Sequence, residues 1–335
     1  MDTRNPPGRE IECATYLGDL LSGAGIEVNY YEFAKDRTSL VAQLKGKGDK
    51  PPICFGGHID VVPLGTREWT VDPFGAEIKD GKLYGRGTTD MKGGMAAVLG
   101  AARALLESGT TLAGDLWLTA VVGHEEPEAE KDGPKALIAD INDGRIAAER
   151  IIIVEGDDEL WVMSMGSMVF TIMLTPSNGG RHTQYVDFKD NPIRFAGDLV
   201  AAVAACQDEL DNGDVHPLAG AERIDLGILH AGDYFNRTPV SCRFTGTRRW
   251  SPGRTAGEVL EELRQLVAPI AEAGGLTAEV TMEHEREPFE TPVDDPLVQA
   301  VSAAHRDLFD EDPRVIGRRI VGDANLYVHG CGVPT

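Results

Sequence analysis

Three short apolar runs, each leading into acid or histidine, constrain this chain more than any other feature. Residues 52–55 run through Gly56 and Gly57 to His58 and Asp60, residues 116–122 lead to Glu125 and Glu126, and residues 151–154 lead to Glu155. Continuous apolar runs of this length fit strands buried on both faces. Helical patterns lie among them. Residues 10–24 place Ile11, Ala14, Leu17, Leu20 and Leu21 on one face and close at Gly25, while residues 93–106 are rich in Ala, Leu, Met and Val. Strands alternating with helices predict an α/β domain with a mainly parallel sheet. Ligands of such sheets sit beyond the carboxyl ends of the strands, so the polar residues at these three ends should converge. Asp90, after the tight Gly85-Arg86-Gly87 turn and just ahead of the 93–106 helix, belongs at the same level.

Near Ser164 the pattern changes. Residues 169–174 and 240–246 read as half-buried strands, 195–210 and 256–273 as amphipathic helices, and 277–282 as a further strand. That order predicts a small α+β two-layer domain, residues 164–284, inserted into the first. After the Pro-rich stretch 288–296, a helix at 297–308 returns the chain to the α/β domain, which then comprises residues 1–163 and 285–335. Asn191-Pro192-Ile193 is expected to cap a helix of the inserted domain.

Composition excludes several functions. The net charge of −22, from 54 acidic against 32 basic residues, repels phosphate backbones and anionic lipid, so neither nucleic acid nor a membrane surface is an expected partner. No apolar run approaches the roughly 18 residues that span a bilayer, and the polar start lacks a secretory pattern. Five scattered cysteines without a CxxC pair fit reduced thiols and a cytoplasmic setting. Gly85-Arg86-Gly87-Thr88-Thr89-Asp90 fails as a dinucleotide fingerprint because Asp90 would repel a pyrophosphate. There is no G-x-S-x-G elbow, and His124-Glu125-Glu126 is not H-E-x-x-H because position 128 is Glu.

Carboxylates gathered at one place raise each other's pKa unless a divalent cation joins them. Nitrogen and oxygen donors without thiolate suit Zn²⁺, Co²⁺ or Mn²⁺. Asp60, two residues beyond His58 in an extended segment, can accept the other ring N–H and fix the tautomer. Of the adjacent Glu125 and Glu126, one can ligate while the other takes a proton from a metal-activated water.

Gly57-His58-Ile59-Asp60-Val61-Val62-Pro63, Gly85 to Gly94 and Glu125-Glu126 closely resemble the M20 family of metallopeptidases and deacylases. The resemblance implies two zinc ions per subunit, with Asp90 bridging them, His58 and Glu155 completing one site and Glu126 serving the other. It makes Glu125 the general base. Relatives carry Glu-Pro where this chain has Glu155-Gly156-Asp157-Asp158, so Asp157 is an alternative to Glu155. The inserted domain resembles the family's lid and dimerisation domain, implying a homodimer. Within it, His182 matches a histidine that stabilises the oxyanion, and Asn236 and Arg249 match residues that bind the substrate carboxylate, for which a planar guanidinium is suited. Relatives begin with a further helix. They also continue beyond the segment matching Gly332-Val333-Pro334-Thr335 to a histidine on the second metal; His329 lies too early to match it, so a weakened second site is expected.

These features together predict a metal-dependent hydrolase of N-acyl amino acids, of the deacetylase or desuccinylase type. The alternatives are a dipeptidase or carboxypeptidase using the same water attack, and a binding protein with impaired catalysis.

Overall fold

The computed structural model describes residues 1–125, 131–156 and 158–335. The chain packs as two units. The first comprises Met1–Glu159, Gln299–Pro313 and Leu326–Thr335; the second comprises Leu160–Val298 and Arg314–Asn325. The switch to the second unit falls close to the change of pattern at Ser164. The return falls at 299 where the sequence suggests 285, because the segment after the last long strand of the second unit stays with that unit.

In the first unit, α1 (Ile11–Gly23) buries Cys13, Ala14, Gly18 and Leu21, and the chain turns after it where Gly25 takes φ +88. An antiparallel hairpin follows, β1 (Glu27–Ala34) and β2 (Arg37–Leu44). Then come β3 (Ile53–His58), a small exposed hairpin of β4 (Glu77–Lys79) and β5 (Lys82–Tyr84), α2 (Lys92–Glu107), β6 (Leu116–Val121), α3 (Asp132–Asn142) and β7 (Arg150–Ile153). The sheet order is β1-β2-β6-β3-β7. β3 runs parallel to β6 and β7, whereas β2 joins β6 antiparallel, so the sheet is mixed and its parallel half carries the polar strand ends.

Every residue of β6 is buried. Leu116, Leu118 and Ala120 enter one hydrophobic cluster with Ala14, Leu40 and Ile59, while Trp117 and Val121 enter another with Val41, Cys54, Ile151 and Tyr327. That two-residue alternation between two cores is why the run is apolar throughout. Gly94, in the first turn of α2, lies so close to the end of β7 that an added Cβ would stand 1.8 Å from the Val154 carbonyl oxygen. Only glycine permits this approach, which seats the start of α2, and the Asp90 turn before it, against the strand ends.

The second unit begins with β8 (Glu159–Ser164) and β9 (Gly166–Pro176), followed by α4 (Pro192–Asn212), β10 (Arg223–Ala231), β11 (Cys242–Trp250), α5 (Ala256–Gly274), β12 (Leu276–Arg286) and β13 (Phe289–Glu290). Four strands form an antiparallel sheet in the order β10-β11-β9-β12. Phe170, Ile172 and Phe244 of the sheet pack with Leu199 of α4 and Val259 and Val267 of α5, the two-layer arrangement that the alternating strands and amphipathic helices predict. The Asn191 side chain accepts from the Ile193 N–H at 3.0 Å and caps α4 as expected, and a Thr255–Glu258 capping box opens α5. The chain ends with α6 (Pro296–Phe309), β14 (Arg314–Arg318), which pairs into a three-stranded sheet with β8 and β13, and α7 (Asp323–Cys331). Among the described residues no helix is long and apolar enough to cross a membrane.

Candidate metal centre

The polar groups at the ends of β3, β6 and β7 do converge. His58 is the last residue of β3 and fully buried, and Asp60, two residues on, is equally buried. Glu125 lies buried beyond β6, Glu155 half-buried beyond β7, and Asp90 precedes α2 with its side chain 55% exposed. Glu126, expected to serve the second ion, and Asp157 lie outside the described residues.

Asp60 is pinned by N–H groups. Its Oδ2 accepts from the backbone of His124 at 3.1 Å, the backbone of Glu125 at 3.0 Å and the Asn5 side chain at 3.1 Å. Burial alone would raise its pKa, but the adjacent His58 and these donors outweigh it and hold the carboxyl at about 2. Asn5 also donates to the Glu125 carbonyl at 3.3 Å, and its own N–H bonds the Val61 carbonyl at 2.8 Å. The N-terminal segment therefore straps the extension of β3 to the exit of β6.

His58 sits between acceptors. Its Nδ1 is 3.0 Å from the Asp60 backbone carbonyl and 3.6 Å from the Asp60 carboxylate; its Nε2 is 3.0 Å from Asp90 Oδ1. The nearer partner of Nδ1 is thus the carbonyl of Asp60 rather than the carboxylate that the sequence suggests. A neutral imidazole carries one N–H and cannot satisfy acceptors on both edges. Either the ring is doubly protonated or a cation replaces the second proton. Burial disfavours the charged ring, yet the bonds to Asp60 and Asp90 and the charge of Glu155 push its pKa well above the ordinary value. Asp90 is correspondingly lowered, by its bond to His58 first, against burial.

Two further observations suit a cation. Asp60 Oδ1 and Glu125 Oε1 are buried without a hydrogen-bond partner, which a folded protein rarely tolerates. His58, Asp90 and Glu125 form one group, and His58, His124 and Glu155 another, in each of which one ligand atom per residue lies within 4.8 Å of the others. The 3.0 Å between Nε2 and Asp90 Oδ1 is on the order expected of two atoms bound to one ion at about 2.0–2.2 Å. The donors are nitrogen and oxygen only, so the residues present fit Zn²⁺, Co²⁺ or Mn²⁺. Burial raises the Glu125 pKa, with the charges of Asp90 and Asp60 adding to it and those of His58 and His124 opposing.

Two residues of this centre escape a reading of the sequence. The His124 ring stacks on His58 with centroids 4.1 Å apart and planes 6° from parallel. Its position immediately before Glu125 is the one local signal for it. Asn5 reaches the centre from 120 residues before Glu125 and leaves no local pattern.

The remaining predicted residues belong to the second unit. His182 Nε2 lies 3.0 Å from Asn236 Nδ2, its Nδ1 accepts from the Gln184 N–H at 3.3 Å, and the Thr183 N–H donates to the Asn236 carbonyl at 2.9 Å. Two residues far apart in sequence thus meet. Arg249, on β11, donates to Ser167 Oγ, and burial lowers its pKa.

A mixed-sheet domain that gathers histidines and carboxylates at its parallel strand ends, with a second α+β unit, defines a class of protein able to hold divalent ions. The chain belongs to peptidase family M20/M25/M40, whose model matches residues 54–335. It is 37% identical over 208 residues to a succinyl-diaminopimelate desuccinylase of Rhodospirillum centenum, a match covering 59% of this chain and 52% of that relative. The chain thus spans about half the length of that curated relative. Its fold is shared by an M20 family metallo-carboxypeptidase of Sulfolobus solfataricus, with a TM-score of 0.74 at 17% identity over 99% of this chain and 87% of the other. A dinuclear metal-binding M20 peptidase of Bacillus subtilis shares it with a TM-score of 0.68 at 19% identity, over 96% and 80%.

Proposed function

We propose that this protein is a metal-dependent amide hydrolase that removes the acyl group of an N-acyl amino acid, in the manner of a deacetylase or desuccinylase. The observation that carries this is the His58 ring held between two acceptors beside a buried Glu125 with one unpartnered oxygen. The name of the Rhodospirillum centenum relative supports the acyl-amino-acid class. His58, Asp90 and Glu155 hold zinc, and Glu126 joins them on the strength of the family resemblance. A bound divalent ion polarises the scissile carbonyl and makes water more acidic.

The residues of the chain do the rest. Glu125, whose pKa burial raises, accepts the proton of the attacking water and returns it to the leaving amine nitrogen. Asp60 stays ionised, fixes His58 through its carbonyl and carboxylate, and orders the Glu125 backbone through Oδ2. His182, oriented by Asn236, stabilises the oxyanion, and Arg249 binds the substrate carboxylate, with Asn236 assisting. The second unit serves as lid and dimerisation domain. Its edge strand β10 exposes Ile228 and Leu229, which supports a homodimer formed there. The free cysteines support a reducing, cytoplasmic setting.

Metal content and amine release across N-acetyl amino acids, N-succinyl amino acids and dipeptides test this function. Turnover of the acylated compounds is expected. Turnover of dipeptides alone would move the assignment to a peptidase, the activity named for the Sulfolobus solfataricus structure. A zinc-replete protein inert on the whole panel would leave a binding protein.

A further inference from the structure

We propose that His124 is itself a ligand of a divalent ion in this centre, alongside His58 and Glu155. The inference rests on the metal-hydrolase assignment above and adds to it a donor that neither the motif pattern nor the family resemblance supplies.

The ligand atoms of His58, His124 and Glu155 all lie within 4.8 Å of one another. Two imidazoles and one carboxylate form a donor set that catalytic zinc uses, and it leaves a coordination position for water or substrate. The backbone also holds His124 in place. Its N–H donates to Asp60 Oδ2 at 3.1 Å, and the next residue's N–H binds the same oxygen at 3.0 Å. Asp60 therefore anchors the exit of β6, and the His124 ring lies parallel to His58 at 4.1 Å. His124 brings nitrogen donors to a place already crowded with carboxylate oxygens.

The test uses the whole chain with His124→Phe, which keeps a flat ring on His58 without a donor atom, and His124→Ala. Apo proteins are checked for folding by circular dichroism, then titrated with Zn²⁺ against a chromophoric chelator and with Co²⁺ while the visible spectrum is recorded. Both variants should lose more affinity than the about 10–100-fold that removal of an outer-shell partner costs. Their Co²⁺ bands should shift. Wild-type zinc affinity or an unchanged Co²⁺ spectrum in folded His124→Phe would overturn the assignment while leaving the centre intact. X-ray absorption of the zinc-loaded wild type supplies a measurement that needs no variant: two imidazoles shared among the bound ions support His124, and one overturns it. A wild type that binds no divalent ion would overturn the centre and this ligand together.

Discussion

The two units bury charge in opposite ways. In the second, Arg248, with a side chain 3% exposed, meets Glu222 at 2.6 Å, and Glu222 also takes Arg254 and the Ser251 N–H at 2.9 Å. Both Glu222 oxygens are engaged, and Arg254 extends the network to Glu262. In the first unit Asp60 and Glu125 are as deeply placed, yet each keeps one oxygen without a hydrogen-bond partner. A closed network of this kind holds a fold together. An open set of acceptors around a histidine is a fold waiting for a cation, because such oxygens are costly unless something joins them.

That contrast can be broken most forcefully at Glu125. Glu125→Gln keeps shape and removes the base, so kcat should fall by about 10²–10⁴ while bound zinc stays near the wild-type level. In the metal-free protein the same change should leave the unfolding midpoint unchanged or higher, since it removes a buried carboxylate with no full set of partners. Arg248→Ala should do the reverse. It takes from Glu222 its most buried partner, leaving Arg254 and the Ser251 N–H, and should cost about 1–3 kcal/mol in denaturant unfolding, with no dependence on added zinc. If Arg248→Ala proves neutral and apo Glu125→Gln strongly destabilised, the division between closed and open burial is wrong.

A smaller effect is expected one layer out. Asn5→Ala removes the amide that joins Asp60 to the Glu125 carbonyl, leaving the ligands in place. Zinc affinity should drop by about 10–100-fold, the range for residues that orient ligands, and chelator competition reads this directly. Arg4, whose exposed side chain pairs with Asp2, supplies a control in the same strap, and Arg4→Ala should bind zinc as the wild type does. Equal losses in the two variants would mean that the strap acts only through general order.

How much of this could be read in the chain depends on where the determinants lie. The strands β3, β6 and β7 were legible because double burial forces unbroken apolar runs, and His58, Glu125 and Glu155 stood out as polar residues where those runs end. The hairpin β1–β2 was not, since β1 is mostly exposed and carries Glu27, Asn29 and Glu32 on a strand with no apolar stripe. α4, α5 and β12 were recognised, each a little longer than its apolar pattern because polar ends continue the backbone bonding. Asn5 and the meeting of His182 with Asn236 depend on how distant segments are folded together, and no local period encodes such a pairing. The substrate lies further out still, because the shape of an acyl pocket follows from many side chains with no shared spacing.

The weakest effect probes whether an unpartnered oxygen always marks a ligand site. Glu10 opens α1 with a fully buried carboxylate, paired to Arg37 at 3.4 Å, and its Oε2 has no hydrogen-bond partner. It belongs to neither group of residues able to hold an ion. Burial raises its pKa above the ordinary carboxylate value, against the pull of Arg37. A folded-state pKa above the unfolded one gives stability that is fully present below the unfolded pKa and is lost as pH rises through the folded pKa. Glu10→Gln has no such titration. Its unfolding temperature relative to wild type should therefore be most favourable at about pH 7, and the advantage should shrink as pH falls towards about 4. Should the wild type instead gain on the variant as pH rises, the Arg37 charge outweighs burial. Glu10 would then join Glu222 as a paired structural carboxylate, and an unpartnered oxygen would count as a sign of a metal only beside an imidazole.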